Sequence, residues 1–301
     1  SGCDATIVNS DTAGTDVTCS VTSNGGSSSQ KVTIKLDKTP PTQPGTPQTT
    51  TPTNVTSQTW DWSSSTDSGT GVNGYWYKLS GDKTSDYSFI GDVLSWKTSL
   101  TAGNYQFHVK SEDKMGNQSL AASSLGLLVD TASPSASLFL PLADETISGV
   151  STIQVNTSDT SPSSGIDKVI LEFKRNIGTD NYHLMATLTT SPYRYDWNTS
   201  GLSLDEYVLR ATVIDKAGNL TTTEQKVKVA AIISNVFGRT SAFGEISINW
   251  TSDRLTSTRV VYDTVAHESL DMTKTNFGYP NSSSTLNTDP KVSEHAIVLS
   301  E

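Results

Sequence analysis

The sequence predicts an all-β chain of β-sandwich modules in a linear array, and three observations carry that prediction. One frame occurs twice, as Leu100-x4-Tyr105-x7-Asp113-Lys114-Met115-Gly116-Asn117 and as Leu202-x4-Tyr207-x7-Asp215-Lys216-Ala217-Gly218-Asn219. Between tyrosine and aspartate each copy alternates apolar and polar residues, with Tyr105, Phe107 and Val109 in the first and Tyr207, Leu209, Ala211 and Val213 in the second. That is the period of a strand buried on one face. An Asp-x3-Pro junction also recurs, at Asp37 and at Asp130, about 90 positions apart, the length of one sandwich domain. A tyrosine placed after a leucine and a short turn is the setting of a tyrosine corner. The Gly-Asn pairs are expected to supply positive-φ residues for a tight turn, so that each strand returns as a hairpin.

Composition agrees with this architecture. Hydrophobic residues make up 34% of the 301 positions and charged residues only 17%, with much of the rest Ser and Thr, which suits strands joined by polar turns. The net charge of −10, with no cluster of Lys and Arg, makes the chain a poor nucleic-acid or anionic-membrane binder. It favours divalent cations wherever carboxylates converge. No apolar run approaches the roughly 20 residues of a membrane span, so no insertion is expected within this segment. No signal-peptide pattern is visible, which predicts a mature form or an excised piece. Cys3 and Cys19 are the only cysteines. They are read as a disulfide made in an oxidising compartment, with free thiols as the alternative; no zinc-ligand spacing surrounds them.

In chain order, residues 1–38 read as the closing strands of a sandwich. Val17, Cys19 and Val21 alternate outward, Asn24-Gly25-Gly26 turns, and Val32, Ile34 and Leu36 alternate back. About forty residues cannot bury a two-sheet core alone. A Pro/Thr-rich lead-in follows, stiffened by proline. Residues 39–130 form the first whole module, with Trp60 and Trp62 on one face, a loop at Asp67, then Tyr75, Tyr77 and Leu79, the Tyr105 hairpin, and a last strand over 125–129. Residues 131–230 repeat the plan through Ile153 and Val155, a loop at Asp159, Val169, Leu171 and Phe173, and the Tyr207 hairpin. Residues 231–301 begin another module: Ile246, Ile248 and Trp250 alternate, Arg259-Val260-Val261-Tyr262 reads as a third strand, and His295-Ala296-Ile297-Val298-Leu299 as the strand before a corner. Truncated modules are therefore expected at both ends.

With these residues placed, the chain resembles the tandem Ig-like and fibronectin type III modules of large bacterial cell-surface or secreted proteins. The junction at Asp37, the two Asp-Lys-x-Gly-Asn hairpins, and Trp250-Thr251-Ser252-Asp253 with Arg259 to Tyr262 carry the resemblance. It implies an extracellular location and a role as stalk, adhesin repeat or spacer; the fold itself hosts many functions. The expected function is a structural stalk or adhesion segment. The alternatives are a glycan- or protein-binding module and the accessory domains of a secreted enzyme whose catalytic domain lies elsewhere.

The sequence holds no nucleophile elbow, no His-Glu-x-x-His, no phosphate loop and no dinucleotide fingerprint, so no catalytic activity is expected. Trp76 faces away from Tyr75 and Tyr77. It is either a platform for a sugar or protein surface or a cross-strand contact on the outer face. Asn-x-Ser/Thr sequons recur at Asn54, Asn117, Asn156, Asn198, Asn219, Asn249 and Asn281, most of them expected by chance in so Ser/Thr-rich a chain. Head-to-tail self-assembly, with the N-terminal strands of one copy completing the last sheet of the next, is a further expectation.

The repeated aspartates carry the sharpest expectation. In a sandwich of this kind the loop after the second strand and the final hairpin face the incoming linker. That gathers Asp37, Asp67 and Asp113 at one junction and Asp130, Asp159 and Asp215 at the next. Three converging carboxylates repel unless a proton or a hard cation joins them, and calcium suits an all-oxygen site. The alternative is that each aspartate caps its own turn. The third junction, Val229-Ala230-Ala231-Ile232, has no linker aspartate, so calcium is expected at the first two junctions and none at the third.

Overall fold

The computed structural model describes residues 2–299 apart from 6, 243, 268–270 and 272. It divides into two compact units. The first comprises Ser1–Pro134, Ser158–Ile166 and Ile214–Leu220, and the second comprises Ser135–Thr157, Asp167–Val213 and Thr221–Glu301.

In the first unit, strands β1 (Gly2–Cys3), β2 (Thr12–Ser23) and β3 (Gly26–Leu36) form an antiparallel sheet in the order β1-β2-β3. Cys3 sits directly opposite Cys19 and the two are joined as a disulfide. Of the apolar row only Val17 is buried; Val21 and Val32 remain more than half exposed, at 51% and 55%. So short a segment makes a sheet but not a second layer to cover it.

Next come β4 (Ser57–Asp61), β5 (Val72–Gly81), β6 (Ser88–Gly91), β7 (Ser95–Ser99), β8 (Gly103–Asp113), β9 (Ala122–Ser123) and β10 (Leu127–Val129). They form a two-layer sandwich: β4-β7 on one side and β10-β8-β5-β6 on the other, with β9 added to β8. Every second residue of β8 from Gly103 to Asp113 is buried, as the apolar alternation requires. Phe107 is the hub. Trp60 stacks on it at 4.8 Å between ring centroids, Tyr77 at 5.6 Å and Trp62 at 5.7 Å. Each fully buried aromatic contributes about 1.5–3 kcal/mol over its exposed state. The last strand is shorter than expected: Leu125 is 76% exposed and pairing starts at Leu127.

The second unit holds most of another sandwich, from β11 (Ser135–Leu140), β12 (Thr146–Ile147), β13 (Val150–Ser158), β14 (Ile166–Arg175), β15 (His183–Leu188), β16 (Tyr193–Asn198), β17 (Glu206–Asp215) and β18 (Leu220–Val229). Its sheets run β11-β13-β16 and β12-β18-β17-β14-β15. Ile153, Val169, Leu171, Leu209, Val213 and Val227 are fully buried, and Phe173 and Tyr207 pack on Trp197 at 5.2 and 6.0 Å. The same unit carries β19 (Ile233–Thr240), β20 (Ile246–Thr256), β21 (Val261–Tyr262), β22 (Asn281–Ser282) and β23 (Val292–Leu299), paired as β19-β20-β23 and β21-β22. Here Trp250 stacks on the buried His295 at 5.0 Å.

Both tyrosine corners are closed. Tyr105 donates its hydroxyl to the carbonyl of Thr101 at 3.0 Å and Tyr207 to that of Ser203 at 3.2 Å. The hairpin turns differ from the expectation in one respect. Gly116 and Gly218 take positive φ, at 89° and 95°, but Asn117 and Asn219 do not. The glycine alone makes the left-handed turn, which frees the asparagine side chain for another task.

Candidate metal centres at the first two junctions

The six aspartates sit at equivalent points of the chain. Asp37 directly follows β3 and Asp130 directly follows β10; Asp67 lies between β4 and β5, and Asp159 between β13 and β14; Asp113 ends β8 and Asp215 ends β17. The fold brings them together in two triads, Asp37 with Asp67 and Asp113, and Asp130 with Asp159 and Asp215. In each triad one carboxylate oxygen per residue lies within 4.8 Å of the others. Both triads fall within the first unit, because its segments Ser158–Ile166 and Ile214–Leu220 carry Asp159 and Asp215. In each triad the linker and hairpin aspartates are buried and the loop aspartate is half-buried.

Hydrogen bonds orient the carboxylates in the same way at both sites. Asp113 accepts the backbone N–H of Asn117 at 2.9 Å and its side-chain amide at 2.7 Å. Asp215 accepts the same pair from Asn219, both at 2.8 Å. Each amide also donates to the linker backbone, Asn117 to the carbonyl of Asp37 at 3.1 Å and Asn219 to that of Asp130 at 2.9 Å. One asparagine therefore ties the hairpin carboxylate to the incoming linker. The loops complete the arrangement: Thr70 N–H donates to Asp37 Oδ2 and Ser164 N–H to Asp130 Oδ2, each at 2.7 Å. Asp67 Oδ2 accepts from Gly71 N–H at 2.6 Å and Asp159 Oδ2 from Gly165 N–H at 2.8 Å.

Turn capping accounts for much of this geometry but leaves a remainder. Asp67 Oδ1 and Asp159 Oδ1, the equivalent atoms of the two sites, are shielded from solvent and accept no hydrogen bond. A buried carboxylate oxygen without a partner is costly. Nor do basic side chains compensate: among the described residues, none of the six aspartates forms an ion pair with Lys, Arg or His. The Thr70 hydroxyl and N–H, assisted by Thr39 N–H and opposed by burial, hold the Asp37 carboxyl below its ordinary value, so it stays ionised at neutral pH. A cavity of 550 Å³, lined in part by Asp11, Lys35, Asp37, Thr70 and Lys114, opens beside the first triad. Hard anionic oxygens with no nitrogen or sulfur donor form a set that suits calcium or magnesium over zinc or copper.

The third junction is built otherwise. Ile232 N–H donates to Asp253 Oδ1 at 2.8 Å, and Asp253 N–H returns to the carbonyl of Ile232 at 3.1 Å. Ser148 donates its hydroxyl to Asp253 Oδ2. Arg254 lies 3.7 Å from Asp253 Oδ1 and reaches Ser148 Oγ at 3.0 Å. Burial pushes the Asp253 carboxyl up, but these donors and Arg254 more than offset it, leaving a net lowering.

Trp76 is half-buried. Its indole N–H donates to Glu112 at 2.9 Å and its ring packs against Phe89 at 5.5 Å, the cross-strand arrangement. His108 bridges the hydroxyls of Ser80 and Ser123, each at 2.7 Å, and His295 is surrounded by those of Ser252, Thr256 and Thr258. Sequence reasoning missed the double role of Asn117 and Asn219, although their recurrence after Asp-Lys-x-Gly was visible. It also missed Thr70, Ser164 and Arg254, for which the sequence offers no signal.

Comparison with known proteins adds a family for one module. Residues 134–229 match the model of the bacterial Ig domain. No curated protein matches the chain. Among solved structures, the fibronectin(III)-like modules of Clostridium thermocellum CbhA are similar at 14% identity, covering 61% of this chain and 92% of that one, with a TM-score of 0.36. The FN1–FN3 domains of chicken CNTN1 are similar at 13% identity over 86% and 88% of the two chains, with a TM-score of 0.29. Both scores lie below 0.5, so the fold rests on the strand topology itself. The chain is one of tandem β-sandwiches, and residues 134–229 are the module whose own sequence matches the bacterial Ig domain family.

Proposed function

We propose that this chain is a structural segment of an extracellular bacterial surface protein, a stalk or adhesion array without catalytic activity, in which calcium locks the first two module junctions. The similarity of residues 134–229 to a domain typical of extracellular proteins supports the location, as does the disulfide. No helix among the described residues is long and apolar enough to cross a membrane. One observation carries the functional reading: the same three-carboxylate geometry, with the same unpartnered buried oxygen, occurs at two successive junctions. Repetition at equivalent positions is what a joint used more than once requires, whereas a substrate site would need to occur only once.

In this reading Asp37, Asp67 and Asp113 hold one ion, and Asp130, Asp159 and Asp215 hold another. Calcium supplies the positive charge that the three carboxylates lack. The chain's own residues do the rest: Asn117 and Asn219 fix the hairpin carboxylates against the linkers, and the Thr70 and Ser164 amides draw the linker carboxylates toward the loops. The outcome is a linker joined to the sandwich by backbone, amide and ion together, which resists bending under load.

Thermal unfolding and interdomain bending in calcium against chelator test this. At a calcium concentration about 100 times Kd, each site adds about 2.7 kcal/mol, a rise of several degrees in Tm for modules of this size. Unfolding and bending that are both identical in calcium and chelator would overturn the proposal.

A further inference from the structure

The third junction departs from the other two in a way that has a functional consequence. We propose that Arg254 is its built-in cation, so that this junction is held without calcium while the first two depend on it. The contrast rests on the calcium reading above; the Arg254 contact stands apart from it.

Four observations converge. Trp250-Thr251-Ser252-Asp253 places Asp253 within β20, where its pairing with β23 is irregular between Thr251 and Thr256, whereas Asp67 and Asp159 lie beyond the ends of β4 and β13. The linker partner is reversed in polarity. At the first two junctions a linker carboxylate accepts from a loop N–H, whereas here the strand carboxylate of Asp253 accepts from the linker N–H of Ile232. The linker itself supplies no carboxylate here, since Val229-Ala230-Ala231-Ile232 holds no aspartate, and the Asp253 carboxylate has a positive charge beside it. That charge belongs to Arg254, whose side chain is only 9% exposed. Its guanidinium donates to Ser148 Oγ at 3.0 Å and to the carbonyl of Leu202 at 3.4 Å, both in the preceding module. Ser148 is shared, donating its own hydroxyl to Asp253. Arginine suits this role because its planar donors reach several acceptors while its charge is permanent. The arginine is the shielded member of the pair and Asp253 the exposed one, so removing Arg254 takes away both the charge beside Asp253 and the bonds to Ser148 and Leu202.

Two kinds of joint in one chain would make its stiffness divisible. Withdrawal of calcium loosens the connections at Asp37 and Asp130, and the connection at Ile232 keeps its hold. Calcium concentration then sets the flexibility of only the N-terminal part of the chain.

Amide hydrogen exchange on the full chain, resolved to short segments, reads both halves of the claim. Calcium is expected to slow exchange over 113–117 and 215–219 at least tenfold and to leave Ile232 and Asp253 unchanged. Arg254→Gln is expected to accelerate exchange at Ile232 and Asp253 at least tenfold, equally with and without calcium, with Arg254→Lys restoring part of the protection. Ser148→Ala, which touches no core position, guards against a folding defect in the arginine variant and should give a smaller acceleration at the same two amides. Protection of Ile232 and Asp253 by calcium in the unaltered chain would overturn the proposal, as would unchanged exchange there in both Arg254→Gln and Ser148→Ala. Should 113–117 and 215–219 ignore calcium while Arg254→Gln still loosens Ile232, the calcium reading falls and the Arg254 assignment stands.

Discussion

At Gly69 the backbone runs so close to Asp37 that a Cβ would lie 2.2 Å from its Oδ2 and 2.4 Å from its Cγ. Neither φ nor turn type demands glycine here; proximity to the carboxylate does. Gly69→Ala must therefore push Asp37 out of the triad while leaving Asp130, Asp159 and Asp215 as they are. Calcium affinity at the first site is expected to fall at least tenfold, with the second site unchanged, in a titration that separates the two; equal affinities at both sites would show that Asp37 takes no part in binding. The six aspartates were legible in the sequence because each stands at a repeated landmark: two precede a proline, two follow the second strand, and two open an Asp-Lys-x-Gly-Asn turn. What holds them was not legible. The donors on Thr70 and Ser164 come from loops with no common pattern, and the side-chain role of Asn117 and Asn219 was hidden behind a turn role that Gly116 and Gly218 fulfil alone.

Among the elements, strands β8 and β17 organise the two sandwiches, and their alternation made them the most readable part of the chain. An unbroken apolar row from Tyr105 to Val109 or from Tyr207 to Val213 has one solution, a strand with that row inward. The tyrosine corner locks the start of each strand by a side-chain bond to the backbone four residues upstream. Tyr207→Phe keeps the ring packed on Trp197 and removes only the hydroxyl, so it should cost about 1 kcal/mol in chemical denaturation. A loss of several kcal/mol would mean that the ring as well had been displaced. Short edge elements were less readable. The strand expected over 125–129 shrinks to Leu127–Val129, because Ser124 turns its hydroxyl and N–H onto Phe107 and Leu125 and leaves Leu125 in solvent. The strand expected at Arg259 to Tyr262 shrinks to Val261–Tyr262, since Val260 is tied instead to the side chain of Ser283. In both places local side-chain bonding competed with the sheet, and periodicity carries no trace of that.

For the molecule as a whole, tandem modules follow from a repeat spacing that no single domain would produce, and the structure bears out tandem β-sandwiches. The outward tryptophan that suggested a ligand platform is engaged by Glu112 and Phe89, and the two aspartate triads at the junctions carry the proposed function. The proposed calcium reading makes their chemistry a count: two carboxylate triads, hence two ions. Calorimetric titration of the full chain with calcium tests that count most directly, with Asp113→Asn, Asp215→Asn and the double variant beside it. Two equivalents for the unaltered chain, one for each single variant and none for the double variant is the predicted result. An unaltered chain that takes up no calcium at millimolar concentration, or a double variant that still binds two equivalents, would contradict it.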